Sequence, residues 1–216
     1  MLKKLLRKEL ALSMHPTVPL MLALCVMVLI PNYPYTVIFF YSTLSLFFTC
    51  LSGRENNDVA YTVGLPVQKR DAVRARMLFA VIFQLAQLAL TAVMCLVRQA
   101  IGMPANAGGL EANTALIGAG LMLFGMFNLT FFTAYYRDVR RVGGSFVAAT
   151  VLFFAAVVVG EVLVNAVPFV RDRLDTADPL FLPEKLTVLA LGAAVYAAAT
   201  FAAYRKSVRL FEMQDL

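Results

Sequence analysis

Six apolar runs, at about 17–31, 35–52, 77–101, 115–136, 145–169 and 186–204, divide this chain, each bounded by Pro, Gly or charged residues. Stretches of this length suit the hydrocarbon of a bilayer, whose core of about 30 Å takes some 20 helical residues. There a helix satisfies its own backbone donors and acceptors, which an open strand cannot do. The expected fold is an all-α integral membrane protein with six transmembrane helices. Of 216 residues, 61% are apolar and only 15% charged, outside the usual balance of soluble domains. Six spans take roughly 120 residues, leaving fewer than about 100 for termini and loops. No separate soluble catalytic domain fits, and residues 1–216 read as one transmembrane domain. The first run is the shortest: Pro16, Pro19 and Pro31 bracket a helix of some 22 Å, which suggests a short, tilted or partly re-entrant span.

Charge sets the orientation. Six spans put both termini on one side, and fifteen of the nineteen Lys and Arg fall there, against Arg98, Arg171, Arg173 and Lys185 on the other. Basic residues stay preferentially in the cytoplasm, so both termini are expected inside. Residues 1–16 alternate Leu2, Leu5, Leu6 and Leu10 with Lys3, Lys4, Arg7 and Lys8, giving one apolar and one basic helical face. Such a helix lies in the headgroup region against membrane lipids. A cleavable signal is the rival reading, but no small-residue cleavage site follows and Pro16 and Pro19 interrupt it. The net charge of +6 is spread between hydrophobic segments rather than gathered on one face, so nucleic acid is not an expected partner. Cys25, Cys50 and Cys95 all sit in apolar runs and read as packing residues.

Enzymatic constellations are scarce. The one histidine, His15, precedes the first span, so neither a zinc site nor a Ser-His arrangement assembles in the bundle. No catalytic or metal-binding residues are assigned. No Gly-Lys pair occurs, which excludes a P-loop in this chain; any ATP would be bound by another one. Asp172, Asp175 and Asp178, the sole acidic cluster available to a metal-dependent lipid-modifying enzyme, stand beside Arg171 and Arg173 in the extracytoplasmic segment 170–185. Mutual pairing in a solvated loop is the expected role.

Two intramembrane polar residues stand out. Glu161 is the only ionisable residue inside a span away from its ends. A carboxylate at that depth is costly unless protonated, paired or wet, which points to a translocation path or proton relay. The other reading is an early end to span five, since Asn165 and Pro168 follow. Both stay open. Asn128, with Thr130, Thr133, Gln84 and Gln87, suits a polar path or, more simply, interhelical hydrogen bonding. Gly118, Gly120 and Gly125 in span four, and Ala193, Ala194, Ala197, Ala198 and Ala202 in span six, form small-residue stripes suited to close bundle or dimer contacts.

The most structured polar stretch is the loop 53–76. Glu55, Asn56, Asn57 and Asp58 favour a helix start, with carboxylates at the positive end of the helix dipole. Gly64 and Pro66 stop that helix, and Lys69, Arg70, Arg74 and Arg76 lead as a basic stem into span three. Val59, Val63, Leu65 and Val67 leave apolar side chains on a cytosolic loop, a plausible interface core.

With Glu55, Tyr61, Leu65, Pro66, Val67, Lys69 and Arg70 so arranged, the chain resembles the permease subunits of type-2 ABC exporters, particularly their small six-span bacterial members. Gln68 departs from the Ser or Thr common in that motif. The resemblance implies a bacterial plasma-membrane protein whose first cytoplasmic loop is a coupling helix docking into a cytoplasmic ABC ATPase. Glu55, Asp58, Tyr61, Leu65, Pro66, Val67 and Arg70 are its coupling residues. It further implies that ATP and Mg are bound by the partner ATPase, that a second permease copy or a related permease completes the path, and that short re-entrant half-helices follow span five. Little charge in the bundle suggests a hydrophobic or amphipathic cargo, such as a peptide or lipid. A non-transporting membrane scaffold or accessory subunit is the alternative, and it would not need a docking loop.

Overall fold

The computed structural model describes residues 2–214. These residues form helices and connecting turns, with no strand among them. Helix α1 (Leu2–Lys8) runs into a π-helical turn, Glu9–Ser13. Then Pro16, which lacks the N–H a continuing helix needs, breaks the path. A second helix, α2 (Thr17–Ala23), starts with the Thr17 N–H donating to His15 Nδ1 at 3.2 Å, and tightens into a 3₁₀ segment, Leu24–Leu29. The two limbs meet at 85°. At 1.5 Å per α-helical and 2.0 Å per 3₁₀ residue, the apolar limb reaches about 22 Å, as the bracketing prolines implied.

Five longer helices follow the short limb: α3 (Thr36–Glu55), α5 (Lys69–Ala100), α6 (Thr114–Tyr135), α7 (Val142–Ala166) and α8 (Leu182–Glu212), with the short α4 (Asp58–Gly64) between α3 and α5. By length and composition those five can each cross a membrane, and the count rises to six if the bent pair Leu2–Ser13 and Thr17–Leu29 forms one span. The protein is thus an all-α membrane bundle. Helices α1 and α4 and the C-terminal end of α8 lie at one end of it, the terminal end; the connections α5–α6 and α7–α8 lie at the far end.

Pairing of α6 with α8 is the closest in the bundle. A Cβ on Gly192 would stand 2.3 Å from the Gly118 carbonyl oxygen, and one on Gly118 would stand 2.8 Å from that of Val188, so only glycine lets the two backbones approach this far. The expected stripe on α6 is therefore used, through Gly118 and Gly125. On α8 the contact runs instead through Gly192, Tyr196, Ala199 and Ala203, while Ala193, Ala194, Ala197 and Ala198 face outward. Around this pair Phe39, Phe124, Phe127, Phe131, Phe132 and Phe153 fill the core. Tyr135 and Tyr136, at the end of α6, are also buried.

By contrast, the outward faces of α7 and α8 keep large apolar side chains exposed, among them Val151, Val158, Val162, Leu191 and Phe201. Such faces suit lipid or another protein chain.

Candidate functional site

At the terminal end, α4 lies across the base of the bundle. It begins after Asn57, whose φ of +51° is a left-handed turn that Asn tolerates, and carries Asp58 in its first turn, where the helix dipole favours an acid. Its end differs in detail from the expected stop. Among the described residues Gly102 and Gly109 are the glycines with positive φ, so Gly64 simply closes the helix and Leu65 turns extended (ψ 158°). That is the conformation Pro66 imposes on the residue before it. The exposed side of this unit presents Tyr61 (68% exposed), Leu65 (39%), Pro66 and Arg70, with Glu55 paired to Arg54 beside them. Val59, Val63 and Val67 turn partly inward, and Val59 and Val63 pack on the core.

Asp58 does not join that outer face. Its carboxylate receives the Arg76 guanidinium at 2.6 Å and the Lys8 ammonium, while Arg76 also pairs with Glu9. Lys8 donates to the Thr62 hydroxyl at 2.9 Å, so it grips α4 at two points one turn apart. Arg76 and Glu9 are only 5% and 4% exposed. Tyr135, Tyr136 and Phe211 wall the cluster from the bundle side. A buried charge set of this kind is tolerable because its members neutralise one another. It joins three separate pieces: the end of the N-terminal segment, α4, and the stem of α5. Nearby, Lys69 of the basic motif is also committed, donating to the Gln214 carbonyl at 2.5 Å and lying over the Phe211 ring.

The cluster had a readable signal. Glu9 follows Leu5 and Leu6 at helical spacing on the apolar stripe of the first segment, and Arg76 follows Val73 and precedes Ala80 on the buried stripe of α5. A charge on an apolar stripe needs an opposite one across from it.

Inside the bundle Asn128 exchanges two hydrogen bonds with Gln84 (2.7 and 2.9 Å) and donates to Thr200 at 3.0 Å, while Tyr196 donates to Gln84 at 2.9 Å. The set links α5, α6 and α8, and its Gln84, Asn128 and Tyr196 are buried. Thr130 and Thr133 donate to the carbonyls of their own helix. Interhelical bonding therefore accounts for Gln84 and Asn128 and bonding within α6 for Thr130 and Thr133, whereas the buried Gln87 amide has no hydrogen-bond partner among the described residues.

A second polar assembly closes the far end, and it replaces the solvated loop expected there. Arg98 donates to Glu111 at 3.3 Å and to the carbonyls of Val28 (3.2 Å) and Pro104 (2.5 Å). Lys185, with no exposed surface, donates to the Thr176 and Ala177 carbonyls and to Asp178 at 3.0 Å. Asp178 in turn accepts from the Thr114 amide at 2.9 Å and Asn113 accepts from that of Leu116, so two side chains satisfy the free N–H groups that begin α6. Asp175 accepts from the Glu111 amide at 2.7 Å. Burial pushes its carboxyl above the ordinary aspartate range, more strongly than that hydrogen bond lowers it. Of the acidic cluster only Asp172 is a plain surface partner, paired with Arg171. Among the described residues no group of three or more His, Cys, Asp or Glu side chains gathers as metal ligands would. After α7 the chain makes a π-helical turn, Val170–Leu174, rather than a pair of half-helices.

Glu161 lies in the last two turns of α7, toward the far end, where its Oε1 accepts from the Thr36 hydroxyl at 3.3 Å.

Comparison with known proteins agrees with this architecture. A family model described as "ABC-2 family transporter protein" matches residues 4–212, from α1 to the last residue of α8. No curated protein and no solved structure matches the chain. With nearly its whole length matched by that model, the chain belongs to the ABC-2 transporter family, as a multi-pass membrane subunit.

Proposed function

We propose that the chain is the permease half of an ATP-driven exporter whose terminal end faces the cytoplasm, with α4 as the helix that engages a separate ATPase. The observation that carries this reading is the buried set Lys8, Glu9, Asp58 and Arg76. A solvated connector has no need to be tied by buried charges to both a membrane span and an interfacial helix. A helix that must pass on a push does. Tyr61, Leu65 and Pro66 supply the docking face, Glu55 and Arg70 its polar rim, and Asp58 acts from behind by holding α4 to α5.

The partner would bind ATP and Mg, and closure of two ATPase copies would drive a change between two states of a permease pair, because a ligand shifts an equilibrium only through its differential affinity for the two. The exposed apolar faces of α7 and α8 support pairing with a second permease copy, or a related permease, and a hydrophobic or amphipathic cargo.

The test is co-expression with the ATPase encoded beside it, followed by purification in detergent. The intact chain should retain the ATPase, and Leu65→Asp should lose it while its own melting temperature stays unchanged, since Leu65 is exposed. Retention by the mutant would reject α4 as the docking element. Absence of any ATPase from the intact chain would leave a scaffold as the better reading.

A further inference from the structure

Near the middle of α5, Gln84 is fully engaged, bonded to Asn128 and Tyr196. Gln87, three residues on, is not. It has no exposed surface, and neither atom of its side-chain amide meets a hydrogen-bond partner among the described residues. The Thr91 hydroxyl, one turn further, is equally buried and equally unpartnered. It does not even donate to a carbonyl of its own helix, as Thr130 and Thr133 do. Buried polar groups are bonded in the great majority of cases, and hydrocarbon offers nothing in their place. Two neighbouring positions thus hold three unbonded polar atoms where leucine and valine would pack at lower cost.

Helical periodicity puts Gln87 and Thr91 on the side of α5 that carries Arg98. Arg98 reaches the Val28 carbonyl in the 3₁₀ segment Leu24–Leu29, and α5 packs closely along that segment. The unbonded atoms are therefore placed toward the seam between α5 and the first span. That span is the short limb, bent by 85° from the segment before it. Between Arg76 and Arg98 α5 carries no charged residue.

A cost built into one conformation is explained when a second conformation removes it. We infer that Gln87 and Thr91 belong to the translocation path: sealed beside the first span in this conformation, they are exposed when that seam opens, and there they bind the backbone amides of an apolar peptide cargo. The inference deepens the permease reading and rests on it. The Gln87 amide presents a donor and an acceptor side by side, which pair with the C=O and N–H of a peptide unit, and the Thr91 hydroxyl can do either. An acyl chain offers neither group. With no charge along this stretch, the part of the cargo held here is neutral.

Melting of the purified full chain is the first test. Gln87→Leu, close in volume to the residue replaced, should raise the melting temperature by about 3 °C, because it removes a polar group buried without a bond. An unchanged or lower melt would mean that the amide is bonded in the sealed state, and overturns the inference. The second test is made on the complex with its ATPase, in a chain whose Cys25, Cys50 and Cys95 are replaced by Ala. Gln87→Cys should resist a small water-soluble thiol reagent without nucleotide and react about tenfold faster with ATP, Mg and vanadate. Leu88→Cys, which faces Gly120 of α6, should stay unreactive in both conditions. Protection of Gln87→Cys throughout, or equal reaction at Leu88→Cys, overturns the path assignment. For the cargo, an apolar peptide of Leu and Ala should stimulate ATP hydrolysis by the wild-type complex at about tenfold lower concentration than its N-methylated form, and Gln87→Leu should erase that difference. Equal potency in wild type, or stimulation by neither peptide, overturns the peptide assignment. The melting test needs no ATPase, so a chain that retains none rejects α4 docking while Gln87 is still judged by its melt.

Discussion

Arg76 is held by two carboxylates from different parts of the chain, and its removal leaves Lys8 as the one cation paired with both in a buried setting. Breaking a buried pair in this way costs about 3 kcal/mol or more. Arg76→Ala should therefore lower the melting temperature of the purified chain sharply, and Arg76→Lys, which keeps the charge but loses the planar fork, by less. An Arg76→Ala melt equal to wild type would mean the cluster carries no stability. Asp175 makes a different prediction. Burial raises its folded pKa above the unfolded one, so the folded state binds that proton more tightly. The stability from this group is complete below the ordinary aspartate range and is lost as pH rises through the raised folded value. Asp175→Asn keeps an oxygen for the Glu111 amide and should flatten that loss. Melts from pH 4 to 8 should show the variant gaining on wild type toward neutral pH, and parallel curves would refute it. Arg76 stood out in the sequence as a charge on an apolar stripe, but neither its partners nor those of Asp175 were legible there. Asp58 and Arg76 are separated by the break after α4, and Asp175 meets Glu111 across two helices, so both pairings exist only once the elements dock.

At the scale of elements, the close approach of α6 and α8 turns on single hydrogen atoms. Gly192→Ala puts a methyl 2.3 Å from the Gly118 carbonyl oxygen, and the helices must part or bend. Overpacking of this sort costs about 2 kcal/mol. Gly160→Ala, with nothing within 4 Å of the added carbon, is the matched control and should melt like wild type or slightly higher. Equal melts for the two variants would mean the contact is looser than drawn. The helices themselves were legible because apolar length alone decides what can sit in lipid, and the α4 region because Asn, Asp and Pro each have a strong local preference. Which side of α8 packs was not. Alanine lines several of its faces, and Gly192 is marked out only by the glycine it meets. The far-end assembly was likewise hidden: Arg98 and Lys185 serve the positive-inside count as markers of the outer side, yet both are buried and bonded.

For the molecule as a whole, the bent first span decides whether six crossings are made or five. An impermeant thiol reagent applied to intact cells should leave Lys4→Cys and Met213→Cys unlabelled and should label Asp172→Cys; the native cysteines are buried and provide a quiet background. Labelling at only one of the two chain ends would demand an odd number of spans. The same geometry gives α5 an unusual place. At 1.5 Å per residue its Lys69–Ala100 length is about 48 Å, well beyond the hydrocarbon it crosses. Two buried arginines fasten it, Arg76 to the α4 cluster and Arg98 to the far-end assembly, roughly 33 Å apart along one unbroken axis. Such a rod has no slack. A displacement of α4 would tilt α5, and a tilt of α5 would pull at Glu111 and the Val28 carbonyl at the far end of the bundle. The two ends of the bundle are thus joined through one helix, and a shift imposed at one end is expected to be felt at the other.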